Sequence, residues 1–312
     1  MVGFDRRLDL QAPKVLAGTS QAVGRLAHRP LSWWHRRHRG GRRRPVPGPA
    51  PEPVKLAVAG AVATVTLNRP ERRNALDLAC WQALAGIAAG LAADPAVRVV
   101  VLTGQVGEHG GVFSSGSDIA EFPEARLGTA AAREYNERYE GALRAWAALP
   151  QPVIAAIAGY CLGAALELAL TADFRVAAAD AVFGVPAVKL GIGISVADAR
   201  RLIDVVGAAR ARRLLLSGEP LTAEQALAVG LVDEVVPVEA LPRRVDELVQ
   251  LLLANAPRAM AWAKQAIDFA VRHPDGEPFT FDVLGTEVFA TRDCAEGVAA
   301  FLARRPPQFT GN

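Results

Sequence analysis

Twenty consecutive residues, 153–172, contain a single charged side chain, Glu167, and their length alone would allow a membrane-spanning helix. Gly159 and Gly163 interrupt this run, and Pro152 directly precedes it. A carboxylate inside a membrane span is costly, and glycines this close together favour a turn. The run therefore predicts a buried strand, a tight turn and a buried helix, and it argues against a membrane span.

Strand-like and helix-like patterns alternate on both sides of this run. Residues 61–67 alternate between apolar and polar, as in a half-buried strand, whereas residues 97–102 are almost all apolar, as in a strand covered on both faces. Apolar side chains recur at helical spacing over residues 81–91 and from about 129 to 149, and residues 174–178 form another strand pattern. Interleaved strands and helices predict an α/β fold.

The last third of the chain, from Val196 onward, has almost only helical patterns. Thr222 and Gln225 have the spacing of a capping box, in which each side chain binds the other residue's backbone at a helix start. A final helix is predicted from about Asp293 to Arg304. This part of the chain is therefore expected to be mainly helical.

Positive charge is concentrated at the start of the chain. The formal net charge is +3, but residues 1–53 carry 11 of the 35 lysines and arginines and only three of the 32 acidic residues. The rest is net negative, which argues against nucleic-acid binding by the folded body. Seven of the 21 prolines also lie in residues 1–53, so this segment is predicted to be a disordered basic tail and linker. Trp33 and Trp34 leave open a contact between this tail and RNA or an anionic membrane.

Three cysteines, Cys80, Cys161 and Cys294, lie far apart and include no C-x-x-C pair. This spacing argues against a disulfide framework and against a structural zinc site. The apolar segment of a secretory signal does not follow the early arginines. Together these observations predict a cytoplasmic protein.

Several common catalytic motifs are absent from the sequence, namely H-E-x-x-H, G-x-G-x-x-G, the Walker loop and G-x-S-x-G. His109 and His273 are the histidines outside the basic tail, and both are expected to be exposed loop residues. Two junctions remain, at residues 113–119 and 159–167, where small residues follow a strand and lead into a helix. Free backbone N–H groups at two such junctions can bind one oxygen between them.

Short motifs in a fixed order over residues 54–311 carry a family resemblance. They are Asn68-Arg69-Pro70 with Asn74-Ala75-Leu76, residues 113–119, residues 152–157 with Gly159-Tyr160, Leu162-Gly163 and Glu167-Leu168, Phe183-Gly184 with Pro186 and Leu190-Gly191, residues 214–218 with Gly230-Leu231-Val232, and Glu296-Gly297-Val298 with Ala300-Phe301. Each motif alone is weak, but their order and spacing together are specific. In these motifs the chain resembles the enoyl-CoA hydratase/isomerase, or crotonase, superfamily.

The resemblance implies a fold, an assembly and a class of substrate. The expected fold is an α/β spiral of ββα repeats, with a crotonase core over residues 54–255 and a C-terminal helical region, residues 256–312, that builds homotrimers or hexamers. The expected ligand is an acyl-CoA thioester, which is bound as substrate. The resemblance implies no further cofactor and no metal.

By the same resemblance, two backbone amides bind the thioester carbonyl oxygen. They are the N–H groups of Ser117 and Ala164, which together would form an oxyanion hole. Ala164 stands where the family most often has glycine, so a helical start is expected there. The stretch that is expected to line the coenzyme A moiety consists of Ser115, Gly116, Ser117, Asp118, Ile119 and Ala120.

One carboxylate of the family's usual pair is missing. Hydratases of this family use two glutamates beside the substrate; Glu167 matches the first, and Ala187 occupies the position of the second. An alanine cannot transfer a proton, so standard two-glutamate hydration is not expected. Among the nearby polar residues Lys189, Ser195 and Asp198, Lys189 is expected to be solvated and Asp198 to be a surface or capping carboxylate.

Three functional hypotheses follow from these residues. The first is an enzyme of the enoyl-CoA hydratase/isomerase type with Glu167 as the acid-base residue, because a lone acid in an apolar stretch is typical of active sites. The second is decarboxylation of a malonyl-type CoA thioester, which needs the oxyanion hole but fewer proton-transfer groups. The third is a non-catalytic acyl-CoA binder, which is suggested by the alanine at position 187 in place of the second glutamate.

Overall fold

The computed structural model describes residues 52–107, 111–273, 283 and 285–312. The predicted tail, apart from its last two residues, and His109 lie outside this part of the chain.

Strands and helices alternate as the sequence patterns predict. The strands are β1 (Val54–Ala59), β2 (Val62–Leu67), β3 (Val99–Gly104), β4 (Val153–Ile157), β5 (Tyr160–Leu162), β6 (Phe174–Ala178), β7 (Val182–Gly184), β8 (Leu221–Thr222) and β9 (Glu234–Val236). The helices are α1 (Leu78–Ala93), α2 (Phe122–Ala125), α3 (Thr129–Ala147), α4 (Ala164–Ala169), α5 (Val196–Ser217), α6 (Ala223–Ala228), α7 (Leu241–Leu253), α8 (Pro257–Arg272) and α9 (Arg292–Leu302). A 3₁₀ turn spans Pro186–Leu190.

These strands form two separate sheets. The larger sheet has the order β1-β2-β3-β4-β6-β9, with β1 and β2 antiparallel and the other pairs parallel. The smaller sheet has the order β5-β7-β8. The chain passes from the larger to the smaller sheet between β4 and β5, and again between β6 and β7. This repeated passage confirms the predicted spiral of ββα units.

Helices cover both faces of the larger sheet. On one face α1 and α3 pack together, and the indole N–H of Trp146 donates to the Leu84 carbonyl oxygen at 3.0 Å. On the other face the apolar side of α7, including Val245 and Leu248, contacts β3, β4 and β6. Successive residues of β3 enter opposite cores, Val100 on one side and Val101 on the other. This arrangement explains why β3 is apolar on both faces.

The apolar run 153–172 forms β4, β5 and α4 in succession, so the predicted strand and helix are confirmed. A short strand, β5, replaces the predicted simple turn. Across the described residues, the structure contains no helix of sufficient length and apolar character to cross a bilayer. The capping box is also confirmed, because Thr222 Oγ1 accepts from the Gln225 backbone N–H and Gln225 Oε1 accepts from that of Thr222.

Candidate functional site

The two glycine-containing junctions lie side by side. Residues 114–118 run between Leu76 and β5 as an irregular strand. The Ser114 N–H donates to the Tyr160 carbonyl oxygen at 2.9 Å, and the Leu162 N–H donates to the Ser114 carbonyl oxygen at 3.2 Å. On the other edge, the Leu76 N–H donates to the Gly116 carbonyl oxygen at 2.8 Å. Backbone hydrogen bonds therefore fix the first junction against the second.

Gly116 makes this close approach possible. Its φ is +94°, and a Cβ atom there would lie 2.5 Å from the Leu162 carbonyl oxygen and 3.5 Å from the Ala164 backbone nitrogen. Contacts below 3 Å to backbone atoms cannot be relieved by a side-chain rotation, and the positive φ itself favours glycine. A side chain at this position would push the two junctions apart.

The amides of Ser117 and Ala164 are free to bind a ligand. Gly163, with φ +54° and ψ −123°, precedes α4 and donates its own N–H to the Gly184 carbonyl oxygen at 2.7 Å. Ala164 is the first residue of α4, so the predicted helical start is confirmed. Among the described residues, neither the Ser117 nor the Ala164 backbone N–H has a protein acceptor. Both segments thus carry an unused donor next to the Gly116 contact.

Glu167 lies three residues after Ala164, in the same helix, and its side chain is almost completely buried (residue exposure 2%). Its Oε2 atom lies 3.3 Å from Nε of Arg201, whereas Oε1 is buried and has no hydrogen-bond partner among the described residues. Burial raises the pKa of Glu167 well above its usual value, and the charge of Asp198 raises it further, against an opposing effect of Arg201. The protonated form of this side chain is therefore favoured relative to that of an exposed glutamate.

Arg201 connects Glu167 to two more carboxylates. Its Nη2 atom lies 2.9 Å from Glu140 Oε1 and 2.7 Å from Asp198 Oδ1, and its Nη1 atom lies 3.2 Å from Glu140 Oε2. The Tyr139 hydroxyl donates to Asp198 Oδ1 at 2.7 Å. Helices α3, α4 and α5 thus bring three acids, one guanidinium and one phenol together. We call Tyr139, Glu140, Glu167, Asp198 and Arg201 the acid cluster.

The structure corrects one sequence prediction and agrees with another. Asp198 is not a surface carboxylate: it is buried, because α5 turns it toward Tyr139 and Arg201. Ser195 caps α5 by accepting from the Asp198 backbone N–H, and its hydroxyl donates to Glu140. Lys189 is exposed, as predicted.

Sequence reasoning missed three members of the acid cluster, Tyr139, Glu140 and Arg201. Glu140 and Arg201 are 61 residues apart, and no local pattern links them. The available signal was the spacing of Asp198 and Arg201, which places both on one face of a helix. Ala187, which is half-buried in the 3₁₀ turn, contributes no polar group to the cluster.

The stretch predicted to line coenzyme A is partly accessible. Ser115 and Ser117 are half-buried, whereas Ile119 and Ala120 are exposed. Asp118 is buried, and its carboxylate binds Arg69 at 2.9 Å and accepts from the Ala120 backbone N–H at 3.2 Å. Its side chain therefore holds the loop in shape.

His273 is exposed, as predicted, and lies just after the end of α8. Its ring stacks on Phe269 with the centroids 4.7 Å apart. Among the described residues it has no hydrogen bond or ion pair with the acid cluster.

Known proteins resemble the chain over this whole region. The family model for enoyl-CoA hydratase/isomerase matches residues 57–312. The 2,3-dehydroadipyl-CoA hydratase of Escherichia coli K12 is 36% identical over 254 residues, which cover 80% of this chain and 95% of the relative. The short-chain-enoyl-CoA hydratase of Clostridium acetobutylicum is 34% identical over 254 residues, with 81% and 95% covered.

Solved structures give the same result. A crystal structure of an enoyl-CoA hydratase/carnithine racemase from Magnetospirillum magneticum is 38% identical with a TM-score of 0.79, and the match covers 83% of this chain and 96% of that one. The enoyl-CoA hydratase from Bacillus anthracis is 32% identical with a TM-score of 0.75, and the match covers 83% and 100%. From its family-model match, its relatives and its fold, the chain belongs to the enoyl-CoA hydratase/isomerase family and is an acyl-CoA-processing enzyme.

Proposed function

We propose that the chain binds an acyl-CoA thioester with its carbonyl oxygen between the N–H groups of Ser117 and Ala164, and that Glu167 moves a proton at the α-carbon. Residues 115–120 line the coenzyme A moiety in this proposal. The observation that carries it is the buried, unpartnered Oε1 atom of Glu167, one helical turn after the free amide of Ala164. The reaction class is that of the enoyl-CoA hydratase/isomerase enzymes.

The two amides act on the charge that the reaction creates. Addition at the β-carbon of an enoyl thioester places negative charge on the thioester oxygen. Fixed N–H donors stabilise that charge, and one such donor is worth roughly 3 kcal/mol in other enzymes. Because the donors belong to the backbone, the side chain of Ser117 and the methyl group of Ala164 take no part in this step.

Glu167 completes the proton balance of a hydration. In its protonated form it gives its proton to the α-carbon, while the oxygen of a water molecule bonds to the β-carbon. The water then loses a proton to the Glu167 carboxylate, which restores the starting acid. One carboxyl group thus serves as acid and then as base, as the absence of a carboxylate at Ala187 requires.

A second candidate reaction is decarboxylation of a malonyl-type CoA thioester. Loss of CO₂ leaves the electron pair of the broken bond on the α-carbon, as an enolate held by the two amides. Glu167 then donates its proton to that carbon. Two observations favour this candidate: the protonated form of Glu167 is stabilised, and Ala187 offers no second group to activate water.

Turnover assays with the full chain test the proposal. Crotonyl-CoA, a 3-enoyl-CoA and malonyl-CoA are offered separately, and loss of the enoyl absorbance, double-bond migration and CO₂ release are measured. Glu167→Gln is expected to lower the rate with the accepted substrate by about 10²- to 10⁴-fold. Glu137→Gln, on the exposed side of α3, is the matched control and should retain the wild-type rate.

Each outcome of these assays has one interpretation. Hydration or isomerisation supports the first reaction, and CO₂ release alone supports the second. Equal rates for wild type and Glu167→Gln would remove Glu167 from the mechanism. Tight thioester binding without turnover of any substrate would contradict both reactions and leave a non-catalytic acyl-CoA binder.

We also propose a homotrimer or hexamer in a reducing, cytoplasmic compartment. In support, α8 buries none of its residues within the chain, and Ile267 and Phe301 are 64% and 82% exposed. Exposed apolar side chains on neighbouring helices are typical of subunit interfaces. All three cysteines are free thiols, which agrees with a reducing compartment. Light scattering coupled to size-exclusion chromatography measures the assembly, and a monomer would contradict it.

A further inference from the structure

Arg201 makes unequal contacts with the three carboxylates of the acid cluster. The guanidinium group binds Glu140 in a bidentate manner, with N–O distances of 2.9 and 3.2 Å. It binds Asp198 through one contact at 2.7 Å. Glu167 receives the longest contact, at 3.3 Å, and only through Oε2. The planar fork of a guanidinium group allows this geometry, in which one cation binds several oxygens in fixed directions.

The three acids also differ in the other hydrogen bonds that they accept. The Tyr139 hydroxyl donates to Asp198 and the Ser195 hydroxyl to Glu140, so both of these carboxylates accept from two different side chains. Glu167 has only Arg201, and its Oε1 atom accepts nothing. Of the three acids, Glu167 is the one with a buried carboxylate oxygen that accepts no hydrogen bond among the described residues.

From this geometry we propose that Arg201 is a positioning residue, which holds Glu167 by Oε2 so that Oε1 faces the acyl group, and that Glu140 and Asp198 fix Arg201 in that orientation. This inference rests on the proposed function of Glu167 and extends it.

The charged groups around Glu167 act on its pKa in opposite directions, so their removal can be measured separately. The groups that face Glu167 are Tyr139, Glu140, Asp198 and Arg201, and the Cys161 thiol is near enough for its pKa to be raised by the charge of Glu167. Asp198 and Glu140 raise the pKa of Glu167, whereas Arg201 lowers it. Removing Arg201 should therefore raise that pKa, and neutralising Asp198 should lower it.

Turnover by three variants is the first of two readouts that test the proposal. Arg201→Gln should lower kcat by up to about 100-fold with little change in KM, because a misplaced acid slows proton transfer while the backbone amides still bind the thioester. Arg201→Lys should recover part of the loss, since a lysine supplies the charge but not the fork. Arg200→Gln is the matched control: Arg200 is exposed, pairs with Asp204 at 3.1 Å and should leave kcat unchanged.

The second readout needs no substrate. The carboxyl carbon of Glu167 is followed by ¹³C NMR during a pH titration, and its signal is assigned by its loss in Glu167→Gln. Arg201→Gln should move the titration midpoint up and Asp198→Asn should move it down, each by about one to three pH units. Asp198→Asn keeps the size and the acceptor oxygen, so it provides the test if Arg201→Gln fails to fold.

The outcomes separate this inference from the proposed function. Opposite shifts of the midpoint with the predicted loss of kcat support the positioning role. Opposite shifts in a protein without turnover would support the cluster geometry and contradict the proposed function. A wild-type kcat in Arg201→Gln, a rise in KM alone, or the same midpoint in all variants would overturn the positioning role.

Discussion

The two halves of the site are built in different ways. The proposed oxyanion hole consists of backbone atoms from two short segments, 114–118 and 162–164, which β-type hydrogen bonds hold together. The acid cluster consists of side chains from α3, α4 and α5, which only the packing of these helices brings together. A backbone site depends on conformation and tolerates changes of side chain. A side-chain site depends on residue identity as well as on position.

Among changes to the two glycine-containing junctions, removing one backbone donor should have the largest effect. Ala164 is the first residue of α4, where proline fits the helix but supplies no N–H. Ala164→Pro should therefore lower kcat by about 10²- to 10³-fold. Ala164→Gly keeps the N–H and is the matched control, which should stay close to the wild-type rate. Equal rates in Ala164→Pro and Ala164→Gly would show that this amide binds no reacting oxygen.

A side chain between the two junctions should cost stability as well as activity. Gly116→Ala places a methyl group 2.5 Å from the Leu162 carbonyl oxygen, at a φ of +94°. We expect the free energy of unfolding to fall by about 2 kcal/mol in urea denaturation. Gly193→Ala, at a position with no neighbour within 4 Å and no positive φ, should change it by less than about 0.5 kcal/mol. An unchanged stability in Gly116→Ala would contradict the close approach.

Stability should depend on pH through Glu167. Its pKa is raised in the folded state above the ordinary 4.5, so the folded protein binds a proton that the unfolded chain releases. From about pH 4.5 upward, this term lowers the free energy of unfolding as pH rises, by at most about 1.4 kcal/mol per pH unit. Glu167→Gln lacks the term. Its stability relative to wild type should therefore increase with pH until the folded-state pKa is passed, and a constant difference would contradict the raised pKa.

A side-chain change at the backbone site should have the smallest effect. Ser117→Ala keeps the N–H that is proposed to bind the thioester oxygen. We expect kcat to change by a factor of about two, equivalent to about 0.5 kcal/mol. A loss as large as that of Ala164→Pro would mean that the hydroxyl, and not the amide, acts on the substrate.

Sequence patterns predicted the parts of the molecule that depend on short segments. The alternation in residues 61–67, the apolar run of β3 and the Thr222 capping box each reflect local geometry, and each is present in the structure. Strands β1, β5, β7, β8 and β9 were not predicted: β1 is an edge strand with one buried residue, and the others are two or three residues long. None of them has enough buried residues to produce a clear period.

The same distinction holds within the site. Ser117, Ala164 and Glu167 were predicted as site residues from a family resemblance that rests on short motifs, and the structure brings the segments that carry them together. Glu140 and Arg201 were not identified, since a polar residue on an amphipathic helix resembles any solvated side chain until the facing helix is known. Long-range packing decides which of these residues become buried, and a single sequence does not encode that in any local pattern.

A crystal structure with an unreactive acyl-CoA thioester analogue would show whether the proposed amides and Glu167 bind the acyl group. We expect the thioester oxygen to lie about 2.7–3.1 Å from the backbone nitrogens of both Ser117 and Ala164, with Glu167 Oε1 as the nearest carboxyl oxygen to the α-carbon. A thioester bound away from these two amides, or oriented with its α-carbon remote from Glu167, would contradict it.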